Sequence, residues 1–321
     1  MIGIVGLGTM GAGIRERLKR GGVHALGYDI NPEVSDFDSL ADMVTALPEG
    51  NRVVWVMVAS NLTEQVINEL TGLLKRGDVI IDGGNTHYVH DIRRAKELAE
   101  FGIQHMDVGT SGGQWGLERG YCLMVGGERA VFDYVERVFR ALAPGVEAAV
   151  RTPGRVGEFR PEEQGYLLCG GHGAGHAVKM VHNAIEYGMM AAFAEGFNLL
   201  TRFDSGSDPE RSKLMVDPEL YKLDIDITEV AELWRRGSVV GSWLLDLTAE
   251  SLFEEPDSEP FERQVSDSGE GRWAADAAID TGTPFGVILA SLVGRFLSQG
   301  SGMGADVIQN RQRKGFGGHK R

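Results

Sequence analysis

The stretch GIVGLGTMGAGI, residues 3–14, decides the fold. It opens as an apolar strand-like run and closes as a helix, with Gly6, Gly8 and Gly11 spaced GxGxxG at the join. Glycines at this spacing permit a tight turn, a close approach of backbone to a pyrophosphate, and close contact between helix and strand. A helix starting there aims unpaired N–H groups at an anion. Taken alone, the motif also fits a plain tight turn. Its context favours a nucleotide, because the next strand-like run ends in YDINP and places Asp29 near the distance at which an acidic residue accepts hydrogen bonds from ribose hydroxyls. The candidate cofactor residues are therefore Gly6, Leu7, Gly8, Thr9, Met10, Gly11 and Asp29. Asp29 would repel a 2′-phosphate, and Ile30, Asn31 and Pro32 offer no cation to receive one, so the expectation is NAD over NADP.

Working outward, the runs IGIVGL, HALGYDI, VVWVMVA, DVIIDGG, IQHMDVG and YCLMVGG alternate with helical segments such as MGAGIRERLKRGG, LTEQVINELTGLLKRG and YVHDIRRAKELAEFG. That alternation predicts a mainly parallel sheet with helices on both faces. After about residue 170 the strand signal fades. HAVKMVHNAIEYGMMAAFAEGFNLLTRF, ITEVAELWRRGSVVGSWLLDLTAESLF and TPFGVILASLVGRFLS read as helices, and Thr283 and Pro284 suit the cap and first position of the last. Joints rich in Gly, Ser, Asp and Pro fall at 204–218 and 254–271. The expected architecture is an α/β N-terminal domain over 1–170, a Rossmann-type doubly wound sheet, followed by an all-α C-terminal domain over 171–321.

A chain of 321 residues is long enough for two domains that each bury a core. With 32 Lys and Arg against 46 Asp and Glu, its net charge of −14 argues against non-specific nucleic-acid binding, which needs cationic surface. An acidic substrate must then be received by concentrated Arg, Lys and backbone N–H groups. No apolar run approaches the roughly 20 residues of a membrane span, and the first residues enter a strand without a basic and then apolar leader. The expectation is a cytoplasmic protein with no membrane partner. Cys122 and Cys169 lack the spacing of a disulfide framework or metal site and read as small packing residues.

The stretch GAGHAVKMVHNAIEYGMMAAF, residues 173–193, carries the chemistry. Offsets of three, four and seven place Lys179, His182, Asn183 and Glu186 on one helix face, within an arc of roughly 100°. Val181, Ala184, Ile185 and Gly188 form the opposite face and are free to pack. The following MMAAFAEGFNLL is apolar on nearly every side, as in a buried helix. Ionisable groups in such a setting are costly unless paired or used, which points to a site rather than a solvated stripe. GTSGG at 109–113 follows a strand, and Ser111, Gly112 and Gly113 can offer a hydroxyl and N–H groups to a carboxylate. A flexible turn is the alternative there.

Together, DVGTSGGQWGLERGYCLMVGG, GAGHAVKMVHNAIEYG, GSWLLDLT, GEGRWAADAAID and GRFLS resemble 6-phosphogluconate dehydrogenase, the decarboxylating enzyme of the pentose phosphate pathway within the β-hydroxyacid dehydrogenase superfamily. The resemblance runs from residue 1 to the tail, and the chain length resembles the family's short form. The glycine and SGG motifs admit the wider superfamily, whereas KMVHNAIEY is more specific. The resemblance implies oxidation of 6-phosphogluconate to ribulose 5-phosphate and carbon dioxide with reduction of NAD and without a metal. It makes Lys179 the base at the 3-hydroxyl and Glu186 the acid that protonates C1 after carbon dioxide departs. His182 and Asn183 are implied to bind the substrate, with Asn183 also near the reacting oxygen. Tyr187 and Arg295 are implied phosphate ligands, and Asn85 is implied to touch both substrate and nicotinamide. Arg313 and His319 match a tail that enters the neighbouring subunit, which implies a homodimer or a dimer of dimers. Ser268 stands where the long form carries a phosphate-binding lysine, with Glu270 nearby, so phosphate binding is weaker or reassigned. His176, at the Gly-rich entry to the helix, is expected to support the site, whereas His24, His87, His90, His105 and His172 receive no role. The rival readings are a β-hydroxyacid dehydrogenase that moves hydride on a small acid without decarboxylation, and a noncatalytic NAD-binding sensor.

Overall fold

Short strands with no polar alternation suit a sheet covered on both faces. β1 (Ile2–Val5), β3 (Val53–Val56) and β4 (Val79–Asp82) are buried at every position. The computed structural model describes residues 1–255 and 263–317. These three strands join β2 (Ala25–Tyr28), β5 (Gln104–Ser111), β6 (Cys122–Gly127) and β7 (Tyr166–Gly170) in one sheet of order β2-β1-β3-β4-β5-β6-β7. The pairings are parallel from β2 through β5, antiparallel between β5 and β6, and parallel again between β6 and β7. The six expected strands are present, and β7 is a seventh beyond them.

Alternate side chains leave the sheet on opposite faces. Ile2, Ile4, Trp55 and Ile81 enter a core with α1 (Thr9–Arg20) and, further along the chain, the helix Arg129–Leu142. Val5, Val54, Val56 and Ile80 enter the other core, with α2 (Leu40–Ala46), α3 (Ser60–Leu73) and α4 (Tyr88–Glu100). Helices on both faces make the sheet doubly wound. After α5 (Gly116–Arg119), the helix Arg129–Leu142, hereafter α6, buries Val131, Phe132, Val135, Val138, Phe139 and Leu142, the stripe of an amphipathic helix. α7 (Pro161–Gln164) precedes β7. Cys122 is exposed and Cys169 half-buried, so neither packs the core as expected.

The chain divides into two compact units, Met1–His182 and Asn183–Arg321, and α8 (Ala174–Thr201) spans the division. Beyond α8 the described residues are helical: α9 (Pro209–Ser212), α10 (Ile227–Trp234), α11 (Trp243–Glu254), α12 (Glu270–Asp280), α13 (Gly286–Ser298) and α14 (Met303–Gly317). The expected single helix over 227–253 is two, because Gly237 turns at φ 85° and Ser242 caps α11 by accepting the Leu245 N–H. The cap of α13 is Phe285 rather than Thr283, whose N–H instead closes α12 on the Ala278 carbonyl.

α8 departs from expectation in its burial. His176, Met180, Ala184 and Tyr187 form a single buried stripe. Val178, Val181 and Ile185 are 43%, 46% and 50% exposed, so Ala184 alone of the expected packing face is fully covered. Spacing near four residues packs one side of a helix and leaves the remainder without protein cover. No helix among the described residues is long and apolar enough to cross a membrane.

Candidate active site

The glycine turn has the shape a dinucleotide requires. Gly6 has φ 92°, and a Cβ there would lie 2.4 Å from the Met57 carbonyl oxygen. A Cβ on Gly11 would lie 1.9 Å from the Gly6 carbonyl oxygen, so the third glycine lets α1 start against the turn. Around Gly8 a Cβ would meet nothing within 4 Å. This position needs no glycine for packing, which leaves space for phosphate at the start of a 12-residue helix whose cap has no side-chain hydrogen bond. Leu7 is buried, while Thr9 and Met10 begin α1. Asp29 follows β2, and its carboxylate accepts the Leu7 N–H at 2.6 Å and the Asn31 N–H at 2.9 Å, so it is aimed beside the turn with acceptor capacity left on each oxygen. Arg15 ends on Asp36 at 2.6 Å, so the cation reaching this loop from α1 is already paired. Gly8→Ala is expected to leave Tm unchanged yet weaken NAD binding about tenfold or more, because the methyl fills the anion's approach and nothing else. Titration of both proteins with NAD checks this; an unchanged Kd would detach the turn from the cofactor.

At the start of α8 a second set of glycines brings helix and sheet together. A Cβ on Gly109 of β5 would lie 2.3 Å from Lys179 Cβ, and one on Gly175 would lie 2.4 Å from the Met124 carbonyl oxygen. Between them the fully buried Asp107 accepts the Gly173 N–H at 2.7 Å and the His176 N–H at 3.0 Å, which suits a carboxylate at a helix N-terminus. Lys179 is half-buried over Gly109, two residues before Ser111 on the same strand. Ser111 pairs with Cys122, and the charge of Lys179 acts on the Cys122 thiol. Gly112 and Gly113 follow with φ 134° and 52°, conformations that favour glycine. Asn85 is exposed in the loop after β4. The glycine turn, Asp29 and Asn85 thus lie just beyond the carboxyl ends of parallel strands, and Ser111 closes β5 at the same edge, the one at which such sheets bind ligands.

His176 holds the entry to α8 through its side chain as well as its N–H. Its Nδ1 lies 2.7 Å from Asp91 Oδ2, both residues being buried. Burial pushes Asp91 up to about 7 despite its imidazole partner. Burial acts to lower His176, but the bond to Asp91 and the nearby carboxylates outweigh it and hold the imidazole at about 9. Behind it Arg94 donates to Asp82 at 2.9 Å and to Glu64 at 2.9 Å.

In the second unit, Asn183 donates to Glu270 Oε1 at 2.6 Å, and Glu270 is buried at the start of α12. The Tyr187 hydroxyl lies 3.0 Å from the Ser268 hydroxyl and accepts the Ser268 N–H at 3.1 Å. The Arg295 guanidinium stacks 3.5 Å from the Tyr187 ring centroid and donates to the Ser266 carbonyl. Arg295 is half-exposed, with Tyr187 and Ser268 gathered beside it. Glu186 is half-buried and His182 exposed, both on α8. Arg313 belongs to α14, but its side chain and the whole of His319 lie outside the described residues. Sequence reasoning missed Asp107, Gly109 and Gly175, and it noted Glu270 without its partner.

Residues 1–150 match the NAD binding domain of 6-phosphogluconate dehydrogenase, and residues 175–312 match the C-terminal domain of the same enzyme. The chain belongs to the 6-phosphogluconate dehydrogenase family. A Haloferax volcanii relative named as the NAD(+)-dependent, decarboxylating enzyme is 33% identical, over 99% of this chain and 97% of its own length. A Bacillus subtilis protein, YqeC, whose name gives it 6-phosphogluconate dehydrogenase activity only provisionally, is 35% identical over 99% of this chain and 98% of its own. Among solved structures, Plasmodium falciparum 6-phosphogluconate dehydrogenase superposes with a TM-score of 0.75 at 22% identity, over 98% of this chain and 64% of that one. Mycobacterium tuberculosis 3-hydroxyisobutyrate dehydrogenase gives 0.63 at 18% identity, over 94% and 93%. Similarity at these identities speaks to the fold alone.

Proposed function

We propose that this family member is a short-form, NAD-dependent 6-phosphogluconate dehydrogenase that decarboxylates its substrate. The observation carrying the reading is the seating of Lys179 on Gly109 beside the Ser111 loop, with Glu186 seven residues further along the same helix. Seven residues rise about 10 Å, so the two side chains can attend to different substrate carbons. NAD supplies the hydride acceptor. Lys179, once it has given up its own proton, removes the 3-hydroxyl proton as the base. As an ammonium it then steadies the carbonyl oxygen of the β-keto acid, whose carboxylate leaves as carbon dioxide. Glu186 protonates the carbon that carried the carboxylate. Ser111, Gly112, Gly113, His182 and Asn183 hold the sugar acid, and Tyr187, Ser268 and Arg295 take its phosphate, with Ser268 in the lysine's place. The exposed apolar residues of α8 support a dimer, in which Arg313 and His319 reach the neighbouring subunit.

The experiment supplies NAD and 6-phosphogluconate and records NADH and carbon dioxide together. Equal yields are expected, and NADH without carbon dioxide would transfer the chain to the small-acid dehydrogenases. With the carboxylate of Asp29 facing a 2′-phosphate, kcat/KM for NAD should exceed that for NADP by about 100-fold, a like-charge cost of a few kcal/mol. The reverse preference would remove Asp29 from cofactor selection.

A further inference from the structure

Asp82, Asp91 and Asp107 are among the fully buried aspartates of the unit Met1–His182. Buried carboxylates need cations or dense donors. Asp82 has Arg94 at 2.9 Å and Asp91 has His176 at 2.7 Å. Asp107 has two backbone N–H donors, from Gly173 and His176, and each oxygen keeps a further acceptor position. Two imidazoles gather around it. His105 shares a face of β5 with Asp107, two residues away, and is 2% exposed; His172 lies in the loop before α8. Neither ring nitrogen of His105 has a hydrogen-bond partner, nor does the buried Nδ1 of His172. Each ring turns Nε2 towards a carboxylate, Asp91 at 3.8 Å and Glu128 at 3.9 Å. One nitrogen from each ring and an oxygen of Asp107 lie within 4.8 Å of one another.

We propose that His105, Asp107 and His172 hold one divalent transition-metal ion of the zinc type. Two imidazoles and one carboxylate form a borderline donor set suited to zinc, whereas magnesium and calcium take oxygen ligands. Ligand distances of about 2.0–2.2 Å require the three donor atoms to draw in to roughly 3.4 Å of one another, and the half-exposed His172 loop can supply that movement. A carboxylate at the second nitrogen of each ring orients a metal-bound histidine, as Asp91 and Glu128 are placed to do. Water completes the fourth position. The ion fastens β5 to the entry of α8 and takes no part in the electron flow of the reaction.

The test strips the full-length protein with EDTA and adds Zn²⁺ alone. About one ion per chain should be retained, and Tm should rise by roughly 5–10 °C at a hundredfold excess over Kd. Co²⁺ in its place should produce visible d–d absorption. His172→Ala and, separately, His105→Phe should match the parent's far-UV circular dichroism in EDTA, yet lose the Co²⁺ bands and the Zn²⁺-dependent rise in Tm. Absence of binding to the parent overturns the proposal. So does a parent-like Co²⁺ spectrum in both variants, since the ion then sits on other donors. Should one variant fail to fold, the parent's stoichiometry and spectrum with the remaining variant decide.

Discussion

With Lys179 as the proposed base, Lys179→Met should lower kcat with NAD and 6-phosphogluconate about 10²–10⁴-fold and move KM for either only a few-fold. Methionine keeps the length and apolar stem of lysine and removes the amine. The half-buried stem therefore packs as before over Gly109. The loss should fall on the proposed step that takes the hydroxyl proton and then stabilises charge on the carbonyl oxygen, two contributions made more strongly in the transition state than in the bound substrate. Lys179→Arg should not restore the rate, because a guanidinium keeps its proton throughout and cannot act as the base. Steady-state and single-turnover rates measured on both variants separate this from slow product release. A Lys179→Met enzyme within tenfold of the parent in single-turnover rate would assign the proton transfer to another group.

Gly109→Ala should lower kcat about 100-fold without touching a reacting atom. The added methyl would lie 2.3 Å from Lys179 Cβ and 2.9 Å from the Gly175 carbonyl oxygen, well inside carbon and oxygen contact distances. Relief requires α8 to lift from β5 by about an ångström, a displacement that at a catalytic group costs on the order of 10²-fold. The start of the helix resists the shift, because Asp107 holds the Gly173 and His176 N–H groups at 2.7 and 3.0 Å. Overpacking of about 1–3 kcal/mol should also lower Tm by roughly 2–10 °C. Gly72→Ala is the control: its methyl would meet nothing within 4 Å on α3, so kcat should stay at the parent value. Parent-like kcat in Gly109→Ala would mean that the seat of Lys179 tolerates movement.

The glycine turn and the polar residues of α8 were legible because their meaning is local: a fixed spacing at a strand–helix junction, and charges recurring on one helix face. β7 escaped notice as a five-residue edge strand in which Tyr166 alone is fully buried. The break between α10 and α11 was hidden by apolar residues on both sides of Gly237 and Ser242. Asp107 was out of reach for another reason. It reads as an ordinary residue in a strand, and its partners at the entry to α8, Gly173 and His176, lie 66 and 69 positions further along the chain. Asn183 and Glu270 are similarly 87 positions apart. The burial expected for α8 failed because an apolar sequence records what a surface can pack against and not whether one chain provides the cover.

α8 carries the proposed base and acid on 28 residues of uninterrupted helix. The axial offset between them is therefore a property of backbone pitch and does not depend on how loops or neighbouring helices drift. Sequence change around the helix is tolerated so far as that ruler is concerned, but inserting one residue between positions 179 and 186 would swing the carboxyl about 100° around the axis. Length variation in this lineage should accordingly gather in the joints, leaving this interval untouched.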